Sequence, residues 1–375
     1  MALLWVRYGD IVLSKIDLKN GAVGVLNDNI QEAVVTSHFA VYTPIAESLR
    51  PEYLKLLIQT AAFKRWLKAA RSGADGRTEV KLELFEDLNI PLPPPDEQRA
   101  LVAAYDAAQS VAAALETEAA KAEADGLGVF EAALGLVPPT PLPDVPRFIA
   151  RFSAMDRWSH EAVLRRLTVG GGDTGKHPVV RLGDVIADLE NGWSPKCLIR
   201  PAKAEEWGVL KLGAVSFGAF DPNENKALPP SLKPRPRLEV KPGDMLISRA
   251  NVVRLVGATA YVEAVRPRLL LCDKIFRVVP LADSLVDLTF IAQVLRIPAV
   301  RWQIESELTG TSPTMKNISK PALLSVTFPL PIDIAEQRSL IAALEKARAG
   351  AAALRQQAAA KRKYAWASFE AAIYG

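Results

Sequence analysis

The same short passage occurs twice in this chain, and a long alanine-rich segment with helical periodicity follows each copy. The copies are Ile90–Arg99 (IPLPPPDEQR) and Phe328–Arg338 (FPLPIDIAEQR). Upstream, Gly9–Lys15 (GDIVLSK) matches Gly243–Arg249 (GDMLISR). A duplication on this scale is not a solenoid, whose repeats are about 20–50 residues long. It predicts two copies of one domain-plus-helix unit, which suits a molecule that contacts two places on one long partner.

The proline-rich passages predict the same local structure in both copies. Consecutive prolines hold an extended, stiff segment. In the second copy, Asp333 is expected to cap a helix, and Glu336 three residues later completes a capping box. In the first copy Pro94 takes the place of the cap, and Pro95 fits the first helical turn, where a missing N–H costs nothing. Each passage therefore predicts a rigid arm, a sharp corner and a helix.

In both predicted helices the apolar residues are spaced alternately by four and three positions, and the series starts four residues after the glutamate of the Glu-Gln-Arg motif. The two helices therefore share a register. Sustained alternation of this kind is typical of a coiled-coil seam, and alanine in the seam lets two backbones approach closely. Helices of about 35–40 residues would span about 50–60 Å. The predicted seam residues are Leu101, Tyr105, Ala108, Ala112 and Leu115 in the first helix, and Leu340, Leu344, Ala347, Ala351 and Leu354 in the second.

The regions around these helices have mixed α/β patterns. We predict α/β domains over residues 1–93 and 151–331, long helices over 94–136 and 332–375, and a proline-rich linker over 137–150. In the first domain we expect strands at Asp10–Ser14, Gly21–Val25 and His38–Tyr42, and a helix at Tyr53–Ala70. In the second, which contains the segment Arg181–Ile186, we expect strands at Gly243–Arg249 and Lys274–Val279, and a helix at Phe290–Ile304.

Composition places few limits on function. The chain has 375 residues and a formal net charge of +4, with a pI near 8.9, which permits nucleic-acid binding without requiring it. Two cysteines are too few for a disulfide framework, and no Cys/His spacing predicts zinc. The N-terminus does not resemble a signal peptide, and no apolar run approaches the ~20 residues of a membrane helix. We therefore expect a cytoplasmic protein that does not associate with membranes.

Catalytic motifs are weak. Gly170–His177 resembles a phosphate loop, but it lacks the final Ser or Thr, and Pro178 opposes a following helix. Glu79–Lys81 and Glu239–Lys241 each place a carboxylate two residues before a lysine, as metal-dependent nucleases do, but neither has a clear acidic partner. The three histidines are scattered. We expect no catalytic residues and no metal site in this chain.

Basic and polar residues gather instead in segments of the second domain that the sequence predicts to be loops. Arg, Lys, Asn and Ser are the side chains that reach base edges and phosphates. A solvated surface is the alternative interpretation for any one of them, but as a set they suit DNA. The candidate DNA-binding residues are Asn191, Trp193, Ser194, Lys196, Arg235, Arg237, Arg249, Asn251, Arg254, Lys274, Thr311, Ser312, Lys316 and Asn317.

Together these motifs resemble the specificity subunit of type I restriction-modification systems. The resemblance is carried by the two Pro-Leu-Pro to Glu-Gln-Arg passages with their helices and by the paired Gly-Asp strands. Arg157–Ser159 and Arg181–Val185, at the start of the second domain, add to it. It covers nearly the whole chain.

The resemblance implies α/β target-recognition domains in tandem, each followed by a long helix, with the two helices paired as an antiparallel coiled coil. The subunit would be non-catalytic and would read a bipartite site in double-stranded DNA. It would recruit methyltransferase subunits, which bind S-adenosylmethionine, and restriction subunits, which translocate DNA with ATP and magnesium. No cofactor is expected on this chain.

One departure from the family pattern is expected. The first recognition domain is shorter than the second, because few residues precede Gly9 where many precede Gly243. A misassigned start codon, a decayed or recombining cassette, or a missing piece supplied by another chain would each explain it. Two other functions stay open: a coiled-coil scaffold that binds only proteins, and an enzyme with fused recognition.

Overall fold

A computed structural model of the chain describes residues 3–16, 22–26, 32–45, 48–69, 82–136, 144, 147, 149–151, 163–164, 175–282, 286–312 and 314–375. The chain divides into two compact units. Unit 1 is Met1–Lys121 with Gly350–Gly375, and unit 2 is Ala122–Ala349. The predictions for Glu79–Lys81 and Arg157–Ser159, and those for most of the proline-rich linker and of Gly170–His177, lie outside the described residues.

Unit 1 contains two antiparallel sheets. Its strands are β1 (Leu3–Arg7), β2 (Ile11–Ser14), β3 (Val23–Val25), β4 (Glu32–Thr36) and β5 (Phe39–Tyr42). Strand β2 lies between β3 and β5, while β1 pairs with β4. The β1–β4 pair was not expected from the sequence.

The helices of unit 1 differ from the prediction in one place. They are α1 (Pro51–Gln59), α2 (Ala61–Ala69), α3 (Leu82–Glu86) and the start of α4 (Pro95–Ala133). The single helix predicted over Tyr53–Ala70 is wrong, because the chain is extended at Thr60 (φ −61°, ψ 151°) and α2 starts afresh. The Thr60 hydroxyl, which is fully buried, donates to the Leu57 carbonyl at 2.7 Å and so closes α1.

Unit 2 is built on a four-stranded antiparallel sheet of order β14-β12-β16-β7, beside a three-stranded sheet of order β11-β8-β15. Apolar clusters pack on these sheets and form the core. The strands are β6 (Val179–Arg181), β7 (Ile186–Asn191), β8 (Gly208–Leu210), β9 (Val215–Ser216), β10 (Ala219–Phe220), β11 (Asn225–Ala227), β12 (Met245–Ser248), β13 (Ala250–Asn251), β14 (Thr259–Tyr261), β15 (Leu269–Leu270), β16 (Ile275–Pro280), β17 (Lys316–Asn317) and β18 (Thr327–Pro329).

In unit 2 one helix prediction is wrong. They are α5 (Leu182–Val185), α6 (Leu288–Val294), α7 (Pro298–Glu305), α8 (Lys320–Leu324) and the start of α9 (Ile334–Tyr374). The one helix predicted over Phe290–Ile304 is two helices. Pro298 cannot continue α6 because it lacks an N–H, and it starts α7 instead.

A buried glutamine makes the same hydrogen bonds at the start of each long helix. Gln98 and Gln337 are each the fourth residue of their helix and are fully buried. The Gln98 side-chain carbonyl accepts from the backbone N–H of Arg50, the N-cap of α1, at 2.8 Å. Its amide donates to the carbonyls of Ser48 at 2.8 Å and Pro93 at 2.7 Å.

Gln337 repeats this arrangement in unit 2. Its side-chain carbonyl accepts from the N–H of Asp287, the N-cap of α6, at 2.9 Å, and its amide donates to the Pro331 carbonyl at 2.8 Å. We call each arrangement a glutamine clamp. It holds together the long helix, the proline arm and the N-terminus of an earlier helix.

The paired Gly-Asp segments form the same turn. Gly9 and Gly243 have positive φ angles of 83° and 95°, which glycine adopts without strain. In the first turn Asp10 accepts from the backbone N–H of Arg7 at 2.7 Å, and in the second Asp244 accepts from that of Lys241 at 2.9 Å. The sequence repeat is therefore also a structural repeat.

The predicted antiparallel pairing of α4 and α9 is confirmed. In unit 1, Tyr105 meets Trp366 with ring centroids 5.0 Å apart, and Arg362 forms a bidentate ion pair with Glu116. In unit 2, Gly126 faces Ala347. At successive contacts the residue number rises along α4 and falls along α9, as antiparallel helices require.

Small side chains and opposite charges fit the two helices to each other. Ala112, Ala119, Ala351 and Ala358 are fully buried. Helix α4 carries eight acidic and two basic residues, whereas α9 carries three acidic and seven basic residues. All ten predicted seam residues are buried or half-buried, but those nearest the helix starts, Leu101 and Tyr105 in unit 1 and Leu340 and Leu344 in unit 2, also pack on the unit cores.

Replacing Gln337 with alanine should destabilise the protein by about 1–3 kcal/mol, because the part-buried Asp287 N–H and the buried Pro331 carbonyl lose their partner. The exposed Gln357 of the same helix is the matched control, and Gln357→Ala should change stability by less than about 0.5 kcal/mol. Urea unfolding followed by circular dichroism measures both. Equal midpoints for the two variants would contradict the clamp.

Two helical glycines of α4 should respond in opposite ways to alanine. A Cβ at Gly126 would lie 2.4 Å from the Cβ of Ala347, so Gly126→Ala should destabilise the protein by about 1–3 kcal/mol. A Cβ at Gly128 meets nothing within 4 Å, so Gly128→Ala should stabilise by about 0.5–1 kcal/mol. Thermal melts of the two variants test this, and a shift of the same sign in both would refute the close approach.

Candidate nucleic-acid interface

Several of the predicted DNA-binding residues come together on one side of unit 2. The Ser194 hydroxyl donates to the Asp273 carboxylate, and Asp273 precedes Lys274. The backbone N–H of Arg249 donates to the Lys274 carbonyl at 2.8 Å, which brings the next loop alongside. Segments far apart in sequence therefore meet here because strand β12 ends beside the start of β16.

The loop that ends at β17 extends this group. Strands β13 and β17 pair with Asn251 opposite Lys316 and Ala250 opposite Asn317. The Lys316 ammonium donates to the Gly310 carbonyl at 2.6 Å, and Gly310 has a φ of 105°. Thr311 and Ser312 are exposed in this loop. We call the set Ser194, Arg249, Asn251, Lys274, Lys316 and Asn317 the polar strip.

Trp193 and Arg235 form a pair of their own. The Arg235 guanidinium lies 4.2 Å from the centre of the Trp193 ring, a cation–π contact. The Trp193 backbone N–H donates to the Leu271 carbonyl at 2.9 Å, and a Cβ at the preceding Gly192 would lie 2.2 Å from that carbonyl oxygen. Glycine is thus required for the loop to approach β15, and the approach leaves Lys196 and the strand-end residue Asn191 exposed.

Some of the predicted DNA-binding residues, including two of the polar strip, have partners within the protein. Asn251 is buried, and its side chain accepts from the adjacent Val252 N–H at 2.9 Å. The Arg249 guanidinium donates to the Asp273 carbonyl at 3.3 Å and lies over the Phe276 ring. Arg237 is largely exposed, with its guanidinium 4.0 Å from Glu190. Arg254 is exposed on the short 3-10 turn Val253–Leu255, outside the polar strip.

An ionic network beneath Arg237 was not predicted from the sequence. Arg277 on β16 is mostly buried and pairs with the carboxylates of Glu190 and Asp244, the second at 3.2 Å. It also donates to the carbonyls of Arg237 and Glu239, each at 2.8 Å. Burial lowers the pKa of Arg277, but the two carboxylates outweigh that effect and raise it. A buried charge with these partners fixes the loop that carries Arg235 and Arg237.

The candidate nuclease carboxylate has a structural partner. Glu239 accepts from the backbone N–H of Arg268 at 2.6 Å, and Arg268 has an unusual positive φ of 67°. Among the described residues, no group of three or more His, Cys, Asp or Glu side chains is arranged to hold a metal ion. Within the same residues, no helix has the length and apolar character needed to cross a membrane.

Comparison with known proteins agrees with the motifs. Residues 6–123 match the family model for the type I restriction modification DNA specificity domain. Over 385 aligned residues the chain is 27% identical to the type I restriction enzyme EcoEI specificity subunit of Escherichia coli, covering 86% of this chain and 65% of that protein. The chain is thus similar to the type I restriction-modification specificity subunits. The chain spans 65% of the length of this E. coli relative.

A solved structure shares the fold of this chain. A chain from a structure of complex assembly and conformational transition of the type I R-M system aligns with a TM-score of 0.60 at 21% identity, covering 98% of this chain and 81% of that one. The HsdS subunit from Thermoanaerobacter tengcongensis aligns with a TM-score of 0.49 at 20% identity, covering 99% and 82%. The predicted α/β fold with long helices is confirmed.

Within the polar strip, Lys316→Ala should weaken duplex DNA binding and reduce the slope of log affinity against log salt by about 1, because one phosphate contact is lost. Lys363→Ala, on the exposed side of α9, should leave both unchanged. Fluorescence anisotropy with a labelled duplex at several salt concentrations makes the measurement. If the Lys316→Ala variant has the same salt slope as the parent protein, this lysine is not part of the interface.

Proposed function

We propose that this chain is the non-catalytic, DNA-reading specificity subunit of a type I restriction-modification complex. The observation that carries the proposal is the pair of glutamine clamps. Two α/β units each begin a long helix through the same buried amide and the same proline arm. A protein with two equivalent modules is suited to contact two separate blocks of one DNA duplex.

The recognised site would therefore be bipartite, with a fixed spacer. The two long helices, of 39 and 41 residues, would each extend about 60 Å at about 1.5 Å per residue. That length exceeds the ~34 Å between sites one turn of DNA apart. In unit 2 the polar strip and the Trp193–Arg235 pair are the surface we assign to base and phosphate contacts. The contribution of unit 1 to reading is part of the proposal.

Chemistry would reside on partner subunits. Methyltransferase subunits would bind S-adenosylmethionine, and restriction subunits would use ATP and Mg²⁺ to translocate DNA. This chain would hold none of these cofactors, and the exposed faces of α4 and α9 would offer partners a docking surface. By holding the target sequence beside the methyltransferase, the specificity subunit would set where methylation occurs.

The runner-up function is a scaffold that binds only proteins through α4 and α9. The close alanine and glycine contacts of these helices favour it, since they give a stable helix pair without any DNA. A decayed or recombining cassette would behave in the same way. Absence of duplex binding at low salt would select this function.

Methylated-motif mapping tests the main proposal. The chain is co-expressed with its methyltransferase subunits in a host without other adenine methylation, and modified adenines are mapped genome-wide. We expect one motif made of two short blocks with a constant gap, absent when the gene for this chain is omitted. A single uninterrupted motif would overturn the bipartite model, and unchanged methylation without this chain would overturn the specificity function.

A further inference from the structure

A cleft of about 350 Å³ opens beside the polar strip in unit 2. Its floor is apolar and includes Val209, Leu210 and the buried Cys272. Ser194 and Lys274 of the polar strip also line it. The cleft is therefore continuous with the surface assigned to DNA, although it was not predicted from the sequence.

Three lysines from separate segments line this cleft. Lys211 precedes the short turn Leu212–Ala214, Lys226 lies on β11, and Lys274 lies between β15 and β16. Lys211 pairs with Glu224 at 2.8 Å and Lys274 with Asp273 at 3.5 Å. Lys226 is exposed, and among the described residues no carboxylate lies within ion-pair distance of it. The cleft thus has an excess of positive charge.

Cys197 lines the same cleft as Lys226. The thiol is half-buried and lines the cleft, and it is free. Burial raises the pKa of Cys197, and the positive charge of Lys226, which lines the same cleft, acts in the opposite direction. The chain's other cysteine, Cys272, is buried and also free.

We propose that this cleft binds the DNA phosphate backbone, with Lys226 as the principal contact and Lys211 and Lys274 flanking it. The proposal rests on the proposed DNA-reading function and adds two lysines, Lys211 and Lys226, to the interface. It also makes Cys197 a residue that bound DNA covers.

The charges of the cleft favour a phosphodiester over a neutral ligand. Lysine donates to phosphate oxygens as a compact point charge, and such contacts fix the position of a protein on DNA without reading sequence. The apolar floor lowers the local dielectric constant, which strengthens the attraction between ammonium and phosphate. The carboxylates of Glu224 and Asp273 limit the excess charge and orient their lysines. Phosphates held here would leave the adjacent polar strip in contact with the DNA.

Cysteine protection tests this proposal with the full chain. The protein is alkylated with iodoacetamide at mildly alkaline pH, with and without a random-sequence DNA duplex at low salt, and each cysteine is quantified by mass spectrometry. We expect bound duplex to slow alkylation of Cys197 in proportion to the fraction of protein bound. Cys272 should stay unmodified in both samples until the protein is unfolded, which controls for loss of structure.

Lys226→Gln supplies the second measurement. Affinity for the same duplex should fall about two- to fivefold, as for a partly exposed ion pair, and the salt slope should fall by about 0.9. Lys346→Gln, on the exposed side of α9, is the matched control and should leave both values unchanged. Circular dichroism melts confirm that the variants are folded.

The outcomes separate the cleft from the wider function. If the parent chain binds the duplex but Cys197 reacts at the same rate and Lys226→Gln keeps the parental salt slope, the cleft proposal is overturned and the DNA-reading function stands. If the parent chain does not bind duplex DNA at low salt, both are overturned. Protection of Cys197 together with a reduced slope supports the cleft.

Discussion

The rest of the architecture depends on one interaction, the buried glutamine amide at the start of each long helix. A side-chain amide offers a donor and an acceptor in fixed relative positions, so one residue can satisfy both a helix N-cap N–H and a proline-arm carbonyl. Leaving a buried backbone group unpaired costs free energy. The direction in which each helix leaves its α/β unit is therefore determined by Gln98 or Gln337.

From the clamps the two helices extend into an antiparallel pair, which is stabilised mainly by close packing and less by charge. Alanines and Gly126 allow the backbones to approach, and no larger side chain fits at the closest point. Arg362 and Glu116 then add a bidentate ion pair at the surface of the seam. Exposed pairs of this kind contribute little to stability, so the packing of small residues is the main source of the association.

The sequence predicted the repeated unit, the paired long helices and the start of the second helix, because each has a local signature. The signatures are the duplicated motif, the spacing of alanines, and the capping residue Asp333. Sequence-based prediction failed where a single residue interrupts a periodic pattern, as Thr60 and Pro298 do in segments predicted to be continuous helices. It also missed β1 and β4, which depend on pairing with each other. The cleft could not be found from sequence, since Lys211, Lys226 and Lys274 meet only through strand order. The internal partners of Asn251 and Arg277 were hidden for the same reason.

The unequal charge of the long helices has a consequence for how copies of this protein meet one another. A surplus of acid lies along α4 and a surplus of base along α9. Two molecules that approach through matching α4 surfaces, or through matching α9 surfaces, repel each other at low ionic strength. Unlike helices attract each other, and within a single polypeptide α4 and α9 are already paired. The sign of the charge therefore disfavours contacts between like helices of two copies, and any attraction between copies would join α4 of one to α9 of the other.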